Sequence, residues 1–258
     1  MRSTILRILI VSLLIYALHA ALVPSAGIDA GALKRASRML DHEKYDAARG
    51  EIDKVIKANP SDDTTYATAI VLYDQARRFD DARQIGDKWL TYKRTHGSFS
   101  REDEAAFMLD LGTLYQQGKD ISGAERAYSD AIRIIPDDPH LLNDFGYMYA
   151  DAGIKLDDAL RMTRRAAELA PNDGAIVDSF GWTQYKLRDY PAAIRTLRRA
   201  VSISPDEPSL RYHLGAAYLK YGKWFEAKIE LSKALTLDSK MTDAANLLKT
   251  FHNHPRSR

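Results

Sequence analysis

Cysteine is absent from the 258 residues of this chain. A disulfide framework, a cysteine-ligated metal, a thiol nucleophile and a cysteine-linked lipid anchor are therefore excluded. The sequence also lacks the GxGxxG, GxxxxGK[ST], GxSxG and HExxH motifs of nucleotide-binding and catalytic sites. Its seven histidines are scattered, and the terminal HNHP is interpreted as a polar tail. We therefore expect no enzymatic activity, no metal site and no cofactor.

An excess of charge of one sign is also missing. The chain has 37 Lys and Arg against 35 Asp and Glu, and residues 1–25 contain two of the bases, Arg2 and Arg7, and no acid. Without this segment the chain is neutral. A neutral chain gives no electrostatic reason to expect a nucleic-acid partner.

Long apolar runs are missing except at the N-terminus. Arg2 and Arg7 precede an uncharged apolar run over residues 8–18, which has the length of a signal-peptide core. The longer stretch 8–23 is shorter than the ~18 residues that span a membrane as a helix. We predict that residues 1–25 are either a cleaved signal peptide or an uncleaved membrane anchor. Both alternatives predict an exported or membrane-anchored protein, in the periplasm or cell envelope.

Glycine is sparse, with 14 residues, but four glycines recur at nearly constant spacing. They are followed by alanines 12 or 13 residues later, by second alanines seven residues further on, and in three copies by a proline. The glycines are Gly112, Gly146, Gly181 and Gly215, and the alanines are Ala124, Ala159, Ala193, Ala227, Ala131, Ala166, Ala200 and Ala234. Four positions that repeat in step indicate a repeat protein.

This pattern resembles the tetratricopeptide repeat, a helix–turn–helix of about 34 residues with a small residue at position 8, alanines at 20 and 27, and proline at 32. The resemblance implies an all-α, right-handed superhelical solenoid of about six repeats, and the chain is most similar to bacterial envelope-associated scaffold proteins of this family. Four repeats cover 105–241 and two divergent repeats cover 29–96. We predict a polar linker over 97–104, and a capping helix followed by a polar tail over 242–258.

Glycine inside a helix costs about 0.5–1 kcal/mol relative to alanine. The resemblance implies that the two helices of a repeat approach most closely at positions 8 and 20. Gly181 is therefore interpreted as a packing residue, because a side chain there would push the helices apart.

The resemblance also implies a binding surface, because the first helices of the repeats line a concave groove. The positions that face this groove carry Asp110, Gln117, Asn143, Asp144, Tyr147, Asp178, Trp182, Tyr185, Tyr212 and His213. Exposed rings at Tyr147 and Trp182 beside Asn and Asp would be typical of a peptide-binding hot spot. The alternative is that these rings fill space between neighbouring first helices. The predicted function is a non-catalytic scaffold that binds an extended segment or a helix of a partner protein, preferably a basic or neutral one.

The second helices of two repeats carry a basic pattern, RMTRRAAE and IRTLRRAV. Its six arginines are predicted to form a ridge on the convex face: Arg161, Arg164, Arg165, Arg195, Arg198 and Arg199. Such a ridge would dock on an anionic membrane or polymer, which is the alternative function. It would otherwise be a solvated face neutralised by local acids.

Overall fold

The computed structural model describes residues 30–97 and 100–251, which form thirteen α-helices and no strand. The all-α prediction is therefore confirmed. The chain divides into two compact units, with the boundary between Ile135 and Pro136. In the described residues no helix combines the length and the apolar character that crossing a membrane requires. The predicted targeting segment 1–25 and the tail after Phe251 lie outside the described residues.

Unit 1 contains three consecutive helix pairs, and in each pair the first helix packs on the second. Its helices are α1 (Ala30–Asp41), α2 (Tyr45–Ala58), α3 (Asp63–Gln75), α4 (Phe79–His96), α5 (Arg101–Gln117) and α6 (Ile121–Ile134).

Unit 2 contains three further pairs and one additional helix. Its helices are α7 (Pro139–Ala152), α8 (Leu156–Leu169), α9 (Gly174–Lys186), α10 (Tyr190–Ile203), α11 (Pro208–Lys220), α12 (Trp224–Leu237) and α13 (Thr242–Phe251). The predicted capping helix is α13, which packs on α12 and buries Ala244 and Phe251. The Phe251 ring meets the Trp224 ring edge-on, with centroids 5.5 Å apart.

The six pairs share one phase, which identifies each as a copy of the same repeat. The small residue at position 20 is fully buried in every pair: Ala48, Ala82, Ala124, Ala159, Ala193 and Ala227. Position 15, in the turn between the two helices, has a positive φ in every pair: Glu43, Arg77, Lys119, Gly153, Arg188 and Gly222. The two divergent repeats of unit 1 therefore keep the geometry of the other four.

Each first helix ends in the same hydrogen-bonded turn. The amide after the left-handed residue donates to a carbonyl five residues earlier, as in Asp189 N to Gln184 O at 3.0 Å and Lys223 N to Tyr218 O at 2.9 Å. This bond satisfies a carbonyl that the end of a helix would otherwise leave unpaired.

Aspartates begin several of the helices. The side chains of Asp62 and Asp138, from the acidic pairs at the repeat junctions, accept hydrogen bonds from Thr65 N and Leu141 N. Asp173 caps α9 in the same way. These carboxylates are therefore helix caps.

Gly181 lies where α9 and α10 come closest. A Cβ there would be 2.7 Å from Leu197 Cγ and 3.2 Å from Leu197 N, so the packing interpretation is supported. Its nearest neighbour, Leu197, is at position 24 of the repeat, whereas at Gly146 the nearest atoms include Ala159 O, at position 20, 3.2 Å from the added Cβ. The same pairing recurs between Gly215 and Leu231, where the added Cβ would be 2.7 Å from Leu231 Cγ.

The predicted linker over 97–104 is also corrected, because residues 101–104 are helical. Helix α4 has 18 residues, whereas the second helices of the other pairs have 14. Helix α5 begins at Arg101, four residues before the predicted repeat boundary. Most of the insertion therefore extends two helices by about one turn each, and the spacing between them stays at four residues, 97–100.

Candidate functional site

The first helices of unit 2 bring most of the predicted groove residues together. Helix α9 packs between α7 and α11, and Trp182 lies at the centre of the resulting aromatic cluster. The Trp182 ring stacks on the Tyr185 ring, with centroids 4.5 Å apart and planes 7° apart. Its ring also stacks on the His213 ring of α11, with centroids 4.1 Å apart. The Tyr212 ring is 6.3 Å from Trp182.

A buried hydrogen bond joins two neighbouring repeats below these rings. His213 Nδ1 is 2.6 Å from Asp178 Oδ2, and the two residues are only 9% and 4% exposed. Because a carboxylate only accepts hydrogen bonds, Nδ1 carries the hydrogen. This contact fixes the His213 ring, and with it the face on which Trp182 stacks.

The expectation of an exposed Trp182 is wrong, since the residue is only 7% exposed. The rings that remain half-buried are the three tyrosines Tyr147, Tyr185 and Tyr212, which we call the tyrosine face. Trp182 packs against two of these rings, Tyr185 and Tyr212. The alternative interpretation, in which the rings fill space between first helices, therefore describes Trp182 better than it describes the tyrosines.

The hydroxyl groups of the tyrosine face stay protonated well above neutral pH. Burial, with smaller contributions from Asp151, Asp178 and Tyr212, raises the pKa of Tyr147 to about 12. Burial also raises the pKa of Tyr212, helped by the negative charges of Asp243 and Asp151. Neutral hydroxyls can donate hydrogen bonds to a partner.

The charged residues next to the tyrosine face are mainly acidic. Asp151 and Asp243 are exposed, and both contribute to the raised pKa of Tyr212. Lys186 Nζ donates to Asp151 O at 3.0 Å and lies 5.5 Å from the centroid of the Trp182 ring. Asp243 belongs to α13, outside the repeats, so the repeat pattern contained no signal for it.

The remaining predicted groove residues are less central. Asn143 Nδ2 donates to Asp144 Oδ1 at 2.9 Å on α7, so these two polar side chains bond to each other. Asp110 and Gln117 belong to α5 of unit 1, and Gln117 is the exposed last residue of that helix.

Five of the six arginines of the predicted ridge fall into two groups. Arg161 pairs with Asp158, and Arg165 pairs with Asp137 at 3.0 Å. Arg164, Arg195 and Arg199 instead line one cleft between α8, α9 and α10, whereas Arg198 is outside its lining. Local acids therefore neutralise part of the ridge. Within the described residues, no group of three His, Asp or Glu side chains is placed to hold a metal ion.

The fold and this face define a helical-repeat protein. A sequence model described as "TPR repeat" matches residues 183–222, and one described as "Tetratricopeptide repeat" matches residues 33–98. The second match covers most of the two divergent copies. The chain thus contains tetratricopeptide repeats. Proteins of this family generally mediate protein–protein interactions and are typically non-catalytic.

Known proteins share this architecture. A TPR repeat-containing protein of Pseudomonas aeruginosa is 26% identical over 71% of this chain, but the chain spans only 30% of that protein's length. The structure of the APC/C hetero-tetramer Cut9–Hcn1 matches 92% of this chain and 45% of its own chain, with 19% identity and a TM-score of 0.63. The structure of YrrB, described as a TPR protein with an unusual peptide-binding site, matches 77% of this chain and 97% of its own, with 20% identity and a TM-score of 0.52. At these identities the two structures show the shared fold.

Proposed function

We propose that unit 2 is a protein-interaction module that binds a segment of a partner on the tyrosine face, within the predicted concave groove. The observation that carries this proposal is a cluster of half-buried tyrosines: Tyr185 and Tyr212 lie against the buried Trp182, and Tyr147 is close enough to Tyr212 for that residue to contribute to its raised pKa. Tyrosine is enriched at the energetic centre of interfaces, because its ring supplies contact area and its hydroxyl supplies a hydrogen bond.

The support beneath the tyrosine face favours binding, because ordering a flexible side chain costs about 0.5–1.5 kcal/mol on association. Tyr185 is already stacked on Trp182, and Trp182 is itself held between Tyr185 and His213. The hydrogen bond between His213 and Asp178 restrains the other side of the stack. Part of the ordering cost is therefore met during folding and not during binding.

The charge around the face favours a basic or neutral partner segment. Asp151 and Asp243 are exposed close to Tyr212, whereas Lys186 is held by Asp151. An acidic segment would meet these carboxylates without a compensating row of bases, and like charges at an interface suppress binding.

The test uses peptides selected from a random peptide library on the full chain, followed by titration of one selected peptide by fluorescence anisotropy. Replacing Tyr147 and Tyr212 with alanine should weaken binding by at least about thirtyfold, since truncating a central aromatic anchor typically costs about 2 kcal/mol or more. The matched control is Tyr221→Ala, because Tyr221 follows α11 and is 50% exposed. This control should change the affinity by less than about twofold.

A peptide that binds the double variant as tightly as the wild type, at unchanged helicity, would show that the tyrosines only fill space. Equal losses in the double variant and in Tyr221→Ala would contradict the proposed location. Circular dichroism of all variants separates these outcomes from loss of the fold.

We also propose that residues 1–25 direct the protein to the cell envelope, as a cleaved signal or as an anchor. The proposal is supported by the two arginines that precede an uncharged apolar run over residues 8–18.

A further inference from the structure

A second feature of unit 2 lies on the other side of α9. Phe180 and Trp182 are two residues apart, and two residues of an α-helix are about 200° apart around its axis. Phe180 therefore faces away from the tyrosine face. It lines a cleft of about 440 Å³ between α8, α9 and α10, which we call the arginine cleft.

The floor of the arginine cleft is apolar. Val177 is fully buried and Phe180 is half-buried, so the Phe180 ring is open on the side of the cleft. The Arg164 guanidinium lies 5.8 Å from the centroid of this ring. At this distance a cation and an aromatic face attract each other, so Arg164 is held near the mouth of the cleft.

Three guanidinium groups surround this floor. Arg199 Nη2 donates to Pro171 O at 2.7 Å, which fixes one of them and leaves its other N–H groups available. Among the described residues, no carboxylate is within 4 Å of the guanidinium nitrogens of Arg164, Arg195 or Arg199. The cleft therefore carries an excess of positive charge.

One acid does line the cleft. The carboxylate of Glu168 is 3.7 Å from Arg165, a residue outside the lining, and it is thus partly neutralised. Arg161 and Arg198 supply a natural comparison, since both belong to the predicted ridge and lie outside the lining of the cleft.

We propose that the arginine cleft binds an acidic peptide segment that carries an apolar side chain. The apolar side chain would pack on Phe180 and Val177, and the flanking carboxylates would bind the guanidinium groups of Arg195 and Arg199. Arginine suits this role, because its planar fork of donors matches a carboxylate and keeps its charge at any physiological pH.

The shape of the site favours a peptide over a membrane surface. Phe180 is half-buried in a depression between helices and does not project, so it cannot insert into a bilayer as an interfacial aromatic residue does. A single side chain between two carboxylates fits a depression of this kind. The ligand class is opposite in charge to the one favoured by the tyrosine face, so the two surfaces would select different segments.

The probe is the fluorescent pentapeptide EEFEE, capped at both ends and titrated against the full chain at low salt. EEGEE lacks the apolar side chain and QQFQQ lacks the charges, and each should bind at least about fivefold more weakly. Changing Arg195 and Arg199 to Gln should weaken EEFEE binding at least about fivefold. The matched control, Arg161→Gln with Arg198→Gln, removes the same charge outside the lining of the cleft and should change binding by less than about twofold.

Equal weakening by the two pairs of substitutions would overturn the proposal, because the attraction would then be a diffuse charge effect. Equal binding of EEFEE and EEGEE would also overturn it, since the apolar floor would play no part. The cleft would be assigned to a membrane instead if the wild-type protein bound phosphatidylserine vesicles but not EEFEE, and if Arg195→Gln with Arg199→Gln abolished the vesicle binding. None of these outcomes bears on the tyrosine face, which is tested with different residues and peptides.

Discussion

The sharpest test of the packing between helices is the replacement of Gly181 by alanine. The added Cβ would be 2.7 Å from Leu197 Cγ, 2.8 Å from Leu197 Cδ2 and 3.2 Å from Leu197 N. Carbon atoms prefer separations of about 3.5–4.0 Å, so the side chain would have to move by about 1 Å. Leu197 is fully buried, and the close backbone nitrogen means that a new rotamer alone does not make room.

The magnitude follows from two opposing effects. Overpacking a core typically costs about 1–3 kcal/mol, whereas alanine is favoured over glycine in a helix by about 0.5–1 kcal/mol. Gly181→Ala should therefore destabilise the chain by up to about 2.5 kcal/mol, the difference between these two ranges. The matched control is Gly50→Ala, because Gly50 lies inside α2 and an added Cβ there would meet nothing within 4 Å. This control should stabilise by about 0.5–1 kcal/mol.

The assay is urea unfolding monitored by far-ultraviolet circular dichroism. The free energies of unfolding of the two variants are compared provided that their dependence on urea concentration has the same slope. A double-mutant cycle identifies the contact. Leu197→Ala alone should cost about 2–5 kcal/mol. In its presence Gly181→Ala should lose most of its destabilising effect, because the contacts with Leu197 Cγ and Cδ2 are gone and only the approach to the backbone nitrogen is left. If Gly181→Ala stabilises as much as Gly50→Ala, the packing argument is refuted. If the cycle shows no coupling, Leu197 is not the residue that requires glycine.

Three further predictions concern the turns, the tyrosine face and the N-terminus. Gly222→Ala should cost about 1 kcal/mol in urea unfolding. Its φ is 85° and an added Cβ meets no neighbour, so the cost is backbone strain alone. Arg188→Gly, at the same position of another repeat, should be within about 0.5 kcal/mol of wild type, and equal costs of the two substitutions would contradict a backbone origin. Burial raises the pKa of Tyr147 from 10.0 to about 12. The protonated hydroxyl therefore contributes stability that is complete below the unfolded pKa of 10.0 and is lost as the pH rises to about 12. Tyr147→Phe should flatten this fall in stability, and an unchanged slope would refute the burial of the hydroxyl. The intact mass of the native protein should show loss of about 25 residues, or a full-length chain in the membrane fraction, and a full-length chain in the cytosol would exclude both alternatives.

The repeats are predictable from the sequence because a close approach between two helices requires a small residue at a fixed position. Gly181 and Gly215 are small since Leu197 and Leu231 occupy the space that a side chain would need. The left-handed turn position is different. Arg77, Lys119 and Arg188 adopt positive φ without being glycine, so no residue type marks them. Tertiary packing and the turn hydrogen bonds impose this conformation.

The segment 97–104 shows a signal that was present and interpreted wrongly. Its polarity suggests a linker, yet Ser100 followed by Arg101 and three acids is typical of the start of a helix. In the structure Ser100 Oγ accepts a hydrogen bond from Asp103 N at 3.0 Å, and the acids at 102–104 lie in the first turn of α5. Polar composition indicates that a segment is exposed to solvent, whereas capping residues indicate where a helix begins.

The exposure of Trp182 could not be predicted from the repeat pattern, since it depends on residues from neighbouring repeats. His213 is 31 positions away in sequence, and its ring covers one face of the indole because Asp178 holds it. A groove-facing position therefore becomes a core position wherever the next repeat supplies a large side chain that is fixed in place. By the same argument Tyr147, Tyr185 and Tyr212 stay half-buried because no such residue covers them completely. Whether a groove position is buried or stays accessible thus depends on the neighbour across the repeat boundary. In the function proposed above, Trp182 supports the site and the tyrosines contact the partner.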